Sequence, residues 1–262
     1  MSQRADGQRR ASRFALANAL MAGQASGQPK EERVSQPTYS KRIGLIGGLA
    51  LRAGVFYYEQ LLLRYNERKK PLDLVLQHAD VAKVLGYIQA GDRGGLGGYL
   101  AVLANNLFDA GAGIVAITAV APHLAYREVM QATRGPMANV LEVIPAGLRT
   151  AGFESVAVFG NRAVMETNVF GAIPDELVVK VDPSVLDDIH TVYGDIALRG
   201  KRGTKPEVDY LAGVAHELIE KQGVQAIVLA GTDLSSFYAE QKPDYPYLDV
   251  AQLHIDQLIA NS

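Results

Sequence analysis

Short apolar runs ending in glycine or a small polar residue recur along this chain, each followed by a helical stretch. They are IGLIGG at 43–48, GIVAIT at 113–118, SVAVFG at 155–160 and AIVLAG at 226–231. A continuous apolar strand suits a parallel sheet covered on both faces. Between them, Val55, Tyr58, Leu62 and Tyr65 fall at helical spacing, which predicts a helix over 52–69 stopped by Pro71. Further strands are expected at 74–78, 176–181 and 247–250. Further helices are expected at 96–112, 141–151, 162–170, 184–198 and 207–222, with a last one closing the chain. The alternation predicts an α/β fold of two similar halves with right-handed crossovers. Its ligand site belongs at the carboxyl edge of the strands.

The 262 residues suffice for two domains of about 100 to 130 each. A formal net charge of −2 argues against nucleic acid as the main partner. No apolar run reaches the roughly 18 residues of a membrane span, so a cytoplasmic protein is expected. Cysteine is absent, which removes disulfides, thiolate metal sites and thiol nucleophiles together. Residues 1–41 carry seven basic and three acidic side chains and are rich in Gln, Ser, Gly and Pro from residue 24 onward. They form either a mobile, partner-contacting arm or, from Arg9-Arg10 and the apolar stretch after it, a targeting segment.

Gly44, Gly47 and Gly48 end the first strand but lack the G-x-G-x-x-G spacing of a dinucleotide site, and the second strand ends in Gln77-His78 with no acid. Gly48 is read as a tight turn that lets backbone approach a small ligand. His78 and Asp80 could supply two metal ligands, but no third has recognisable spacing. No cofactor is expected.

The ordered motifs resemble the aspartate/glutamate racemase family over residues 42–260. They are the 43–48 run with Tyr57-Tyr58, the strand at 110–118 with His123, and the strand at 156–160 with Met165-Glu166. Ile189, Tyr193, Asp195 and Gly200 follow, then AIVLAGTD at 226–233 and Asp249 with His254. The resemblance implies two pseudo-symmetric parallel-sheet α/β domains, often paired as a homodimer, working without pyridoxal phosphate on a small carboxylate or amino acid in the interdomain cleft. The expected division is 42–138 plus 235–262 for one domain and 139–234 for the other. It also implies two catalytic cysteines, one on each face of the substrate, whose tunable thiols move the α-proton.

Here those positions are Thr118 and Gly231, followed by Ala119-Val120 where the family has polar residues. A two-thiol racemase is excluded. His78 beside Asp80 offers a replacement acid–base unit, since extended backbone puts both on one face and imidazole titrates near neutrality; otherwise Asp80 caps a helix and His78 is merely hydrogen-bonded. Thr118 could bind substrate or act as a nucleophile. Arg52 could fork onto a carboxylate; otherwise it is a surface arginine. Asn161, Thr232 and Asp233 stand at strand ends where substrate would be held, or cap the helices behind them. His123 more simply starts a helix. His190 and Tyr193 lie on the helix that crosses the cleft in the family, with Arg199, Lys201 and Arg202 as a basic loop after it. His216 reads as structural.

Three functions remain. The favoured one is an enzyme rewired for one-base chemistry (lyase, decarboxylase, tautomerase or cyclisation). Racemisation by unusual bases, with Asp233 or Ser235 as the second, is less favoured, and a non-catalytic binding protein is the third. A rewired enzyme should bring His78 and Arg52 to one cavity. A degenerate protein should fill the cleft with Leu49, Leu51, Val120 and Val164.

Overall fold

The computed structural model describes residues 41–199, 204–239 and 242–262. The first sheet comprises β1 (Ile43–Gly47), β2 (Leu74–His78) and β3 (Ile114–Ile117), in the order β2-β1-β3. The second comprises β4 (Val156–Phe159), β5 (Ala226–Leu229) and β6 (Tyr247–Asp249), in the order β4-β5-β6. All pairings are parallel. Helices α1 (Ala53–Glu67), α2 (Val81–Gln89), α3 (Arg93–Asp109) and α4 (Tyr126–Ala132) belong to the first half. The second carries α5 (Val140–Ala151), α6 (Arg162–Glu166), α7 (Asn168–Gly171), α8 (Pro183–Arg199), α9 (Lys205–Gln222) and α10 (Thr232–Phe237). Helix α11 (Val250–Asn261) closes the chain.

The apolar strands are buried, as a sheet with helices on both faces requires. Ile43 and Leu45 pack with Phe56 and Leu61 of α1 on one face, and Ile46 packs with Leu100 and Leu107 of α3 on the other. A third core surrounds β4 and β5. Helix α11 returns to the first sheet, where Ala251, Ile255 and Leu258 join Ile43 and Phe56. That return starts at Val250, because Tyr247–Asp249 first adds a strand to the second sheet.

Two expected elements come out differently. In place of a strand at 176–181 there is a single turn, Asp175–Leu177, followed by one isolated bridge between Val178 and Val156. The turn takes up residues 175–177, and pairing with β4 is limited to this bridge and the bond from the Val179 amide to the Val156 carbonyl at 2.9 Å. The helix expected over 162–170 breaks at Thr167, and Asn168, Val169 and Phe170 all adopt positive φ, between 48° and 54°. A β-branched residue there is strained. The segment is held by the buried Asn168 side chain, which accepts from Lys180 Nζ at 2.9 Å and donates to Asp175. No helix among the described residues is long and apolar enough to cross a membrane.

Register places the strand ends side by side: Gly47 against His78 and Ile46 against Ile117 in one sheet, Leu229 against both Phe159 and Asp249 in the other. The two carboxyl edges meet. The buried Thr232 hydroxyl donates to the carbonyl of Thr118 at 2.9 Å.

Candidate active site

A cavity of about 600 Å³ opens between these edges. From the first half it is lined by Gly48, Leu49, Leu51, His78 and Val120, and from the second by Asn161, Tyr193 and Asp233, among others. The cleft is therefore open, although Leu49, Leu51 and Val120 do face it; Val164 is instead buried in the second core.

On the first wall, Gly48 has φ +77°, and a Cβ there would lie 2.5 Å from His78 Cε1 and 2.6 Å from the Ala79 carbonyl. Glycine is thus needed both for the turn and for the imidazole resting on it. His78 lines the cavity, but Asp80 does not join it. The Asp80 carboxylate caps α2, accepting from the amides of Ala82 at 3.0 Å and Lys83 at 3.4 Å. Asp80 keeps an extended backbone, but its carboxylate is turned onto the first amides of α2 and not toward His78, so the expected His–Asp unit is not assembled.

Thr118 is fully buried and its hydroxyl donates to the Ile46 carbonyl at 2.9 Å. Tied to β1 and absent from the lining, it meets neither the nucleophile nor the substrate-contact expectation. Thr232 is likewise spent on the Thr118 carbonyl. Arg52 does not line the cavity; its Nε donates to Ser236 Oγ at 3.1 Å. The guanidinium therefore acts on the site only through its field. Asn161 does face the cavity while its side chain caps α6 through the Val164 amide at 3.1 Å.

The second wall carries the ionisable chemistry. Asp233 is buried in the first turn of α10, and desolvation pushes its carboxyl up to about 6. A hydrogen bond from the Tyr193 hydroxyl at 3.3 Å and the positive charge of Arg52 work against that rise. Tyr193 itself is held protonated by burial and by the Asp233 charge. Its position explains Gly231. A Cβ at 231 would lie 2.4 Å from the Tyr193 ring, so the ring occupies the space a side chain at this strand end would take. Tyr193 was visible in the sequence only as a residue of the cross-cleft helix, and its pairing with Asp233 carried no local signal.

The first turn of α1 bears no side-chain cap, and its Gly54 and Val55 border the cavity, offering free amide N–H groups to an anion. Ser235 donates to Asp249 Oδ1 at 2.7 Å and faces away from this cavity. His190 accepts from the Arg162 amide at 3.3 Å, Arg199 pairs with Glu207, and His216 lies 3.3 Å from Asp244. None of these reaches the cavity. Lys201 and Arg202 lie outside the described residues. No cluster of three or more His, Asp or Glu side chains suited to a metal ion occurs among the described residues.

His123 is wholly buried beside the cavity wall. Its Nδ1 lies 2.9 Å from the Ala119 carbonyl and so carries the hydrogen. Its ring meets that of His254 edge to face at 5.6 Å, and His254 Nδ1 lies 2.8 Å from the Tyr57 hydroxyl. Neither Nε2 has a partner among the described residues. Desolvation lowers His123 to about 4 and His254, with His123 adding to the effect, to about 3, so both are neutral.

The Asp/Glu/Hydantoin racemase family model matches residues 46–258. The chain belongs to this family. No curated protein sequence matches it. Among solved structures, a candidate Asp/Glu racemase from Yersinia pestis is 19% identical with a TM-score of 0.72, covering 84% of this chain and 98% of its own. An aspartate racemase homologue from Pyrococcus horikoshii is 19% identical with a TM-score of 0.70, covering 84% and 98%. The Picrophilus torridus aspartate racemase is 18% identical with a TM-score of 0.67, covering 84% and 94%. At such identities the likeness establishes the fold. Within that family fold, the positions that the motif resemblance assigns to thiols hold a buried threonine tied to β1 and a glycine whose space is filled by Tyr193.

Proposed function

We propose that the cavity is an active site for thiol-independent acid–base chemistry on a small carboxylate or amino acid, with Asp233 as the proton-transferring group. One observation carries this reading. A carboxyl that burial pushes up to about 6 lies at the cavity wall, hydrogen-bonded by the Tyr193 phenol, whose ring fills the space beside Gly231. Perturbed acids in clefts are favoured as catalytic groups because transfer works best near matched pKa. Ionised Asp233 takes a proton from the carbon next to the substrate's carboxylate, while the Tyr193 hydroxyl steadies the carboxylate form. The free amides at the start of α1 hold the acid group of the substrate. His78, on the facing wall, is the group able to deliver a proton from the other side. A single working base supports exchange, decarboxylation or tautomerisation; His78 acting as the partner acid would give inversion.

Binding without turnover is the second reading, favoured by the lack of any Arg or Lys among the described residues of the lining. Incubation with a panel of amino acids and carboxylic acids in D₂O, followed by proton NMR, tests both. Exchange or consumption that drops about a hundredfold or more in Asp233→Asn is the expected result. Ligand-induced shifts without chemistry would establish the binding role.

A further inference from the structure

The apolar character of this cavity goes beyond what an acidic amino acid needs. Eleven large apolar side chains are exposed among the described residues, and six of them line this one cavity: Leu51, Val55, Leu76, Val81, Leu85 and Leu198. They come from the turn before α1 and from four elements, namely α1, β2, α2 and the end of α8. Such concentration is not the scattered exposure normal on a soluble surface. The polar groups Asn161, Tyr193 and Asp233 converge from the second half, with Asp233 nearly buried, whereas Leu51 and Leu198 are 64% and 72% exposed.

We infer that the ligand is a monoacid carrying a bulky apolar group, seated with its acid end toward Asp233 and the α1 amides and its apolar group against the aliphatic wall. This rests on the reading of the cavity as the ligand site and names the ligand's class. A dicarboxylic amino acid fits badly, because its second carboxylate would lie against leucine and valine with no Arg or Lys among the described lining residues to pair with it. An apolar group of similar size gains from leaving water there and covers side chains otherwise wetted. The volume of about 600 Å³ accommodates an acid with a phenyl or branched alkyl substituent.

Affinity measurement by calorimetry tests this apart from turnover. Hexanoate, phenylacetate, L-leucine and L-phenylalanine are compared with succinate, L-aspartate and L-glutamate. At least one apolar acid is expected to bind about tenfold or more tightly than every dicarboxylate. In Leu85→Arg, on an exposed wall position of α2, that preference should fall at least about tenfold, and dicarboxylate binding should strengthen. If Leu85→Arg does not fold, Leu51→Gln gives the same loss of apolar affinity. Tighter binding of dicarboxylates, equal affinity, binding by neither set, or an unchanged preference in a folded variant overturns the inference. Failure of deuterium exchange with an intact affinity order would sink the acid–base reading alone. Exchange seen only with dicarboxylates would sink this inference alone.

Discussion

The hydroxyl of Thr232 donates to the carbonyl of Thr118 at 2.9 Å, across 114 residues of sequence, and so fastens the end of β3 to the turn after β5. Both residues are buried, so loss of the donor leaves a carbonyl without its partner. Thr232→Val keeps the shape and is expected to cost about 1–3 kcal/mol. Urea unfolding should show a lower midpoint with an unchanged slope.

Restoring a thiol to the second strand end should fail on its own. In Gly231→Cys the new Cβ meets the Tyr193 ring at 2.4 Å, within a crowded site that has little freedom to relax. The variant is expected to lose about 1–3 kcal/mol. Adding Tyr193→Ala should recover part of that loss. A double-mutant cycle by thermal unfolding would show positive coupling between the two sites; additive losses would disprove the steric account.

The pH profile of exchange should follow Asp233. Its base form populates as pH rises through about 6, so the rate should climb between about pH 5 and 7 and then level. Tyr193→Phe removes the hydrogen bond that lowers this carboxyl, so the midpoint should move upward. Stability carries the opposite sign. The folded protein holds this proton more tightly than the unfolded chain, so the contribution is fully present below about pH 4 and is lost as pH rises through 6. Asp233→Asn should therefore be more stable than the parent at pH 8, by on the order of 2 kcal/mol, and the gain should vanish near pH 4.

The His123–His254 pair predicts acid sensitivity. Both imidazoles are lowered on folding, so the unfolded chain binds more protons as pH falls below 6.5. Their contribution is complete above that pH and is lost as pH falls through about 4 and 3. Two such groups outweigh Asp233. The unfolding free energy at pH 4.5 should lie several kcal/mol, on the order of 2–4, below that at pH 7.5. His123→Phe, which retains the stacking on Tyr126, should flatten this slope in denaturant titrations.

The alternating sheet-and-helix architecture was legible because buried parallel strands have a distinctive composition: VAVF and AIVL have no other comfortable environment. The strand at 176–181 misled because valines favour extended backbone whether or not a neighbour pairs with them. At the site, Asp233 and Asn161, singled out from their positions after strands, both line the cavity. Asp80 takes the helix-cap alternative that the sequence also offered, while the bond of Arg52 to Ser236 depends on a residue 184 positions away and had no local signal. The Tyr193–Asp233 contact spans 40 residues and depends on the emptiness of Gly231, information that no local pattern holds.

With the Tyr193 ring filling the space beside Gly231 and no cysteine in the sequence, every ionisable group bordering this cavity is built on nitrogen or oxygen. Peroxide and alkylating agents attack thiolates selectively. Here they find none, so the state of the cleft follows the acidity of its surroundings and is indifferent to their redox potential.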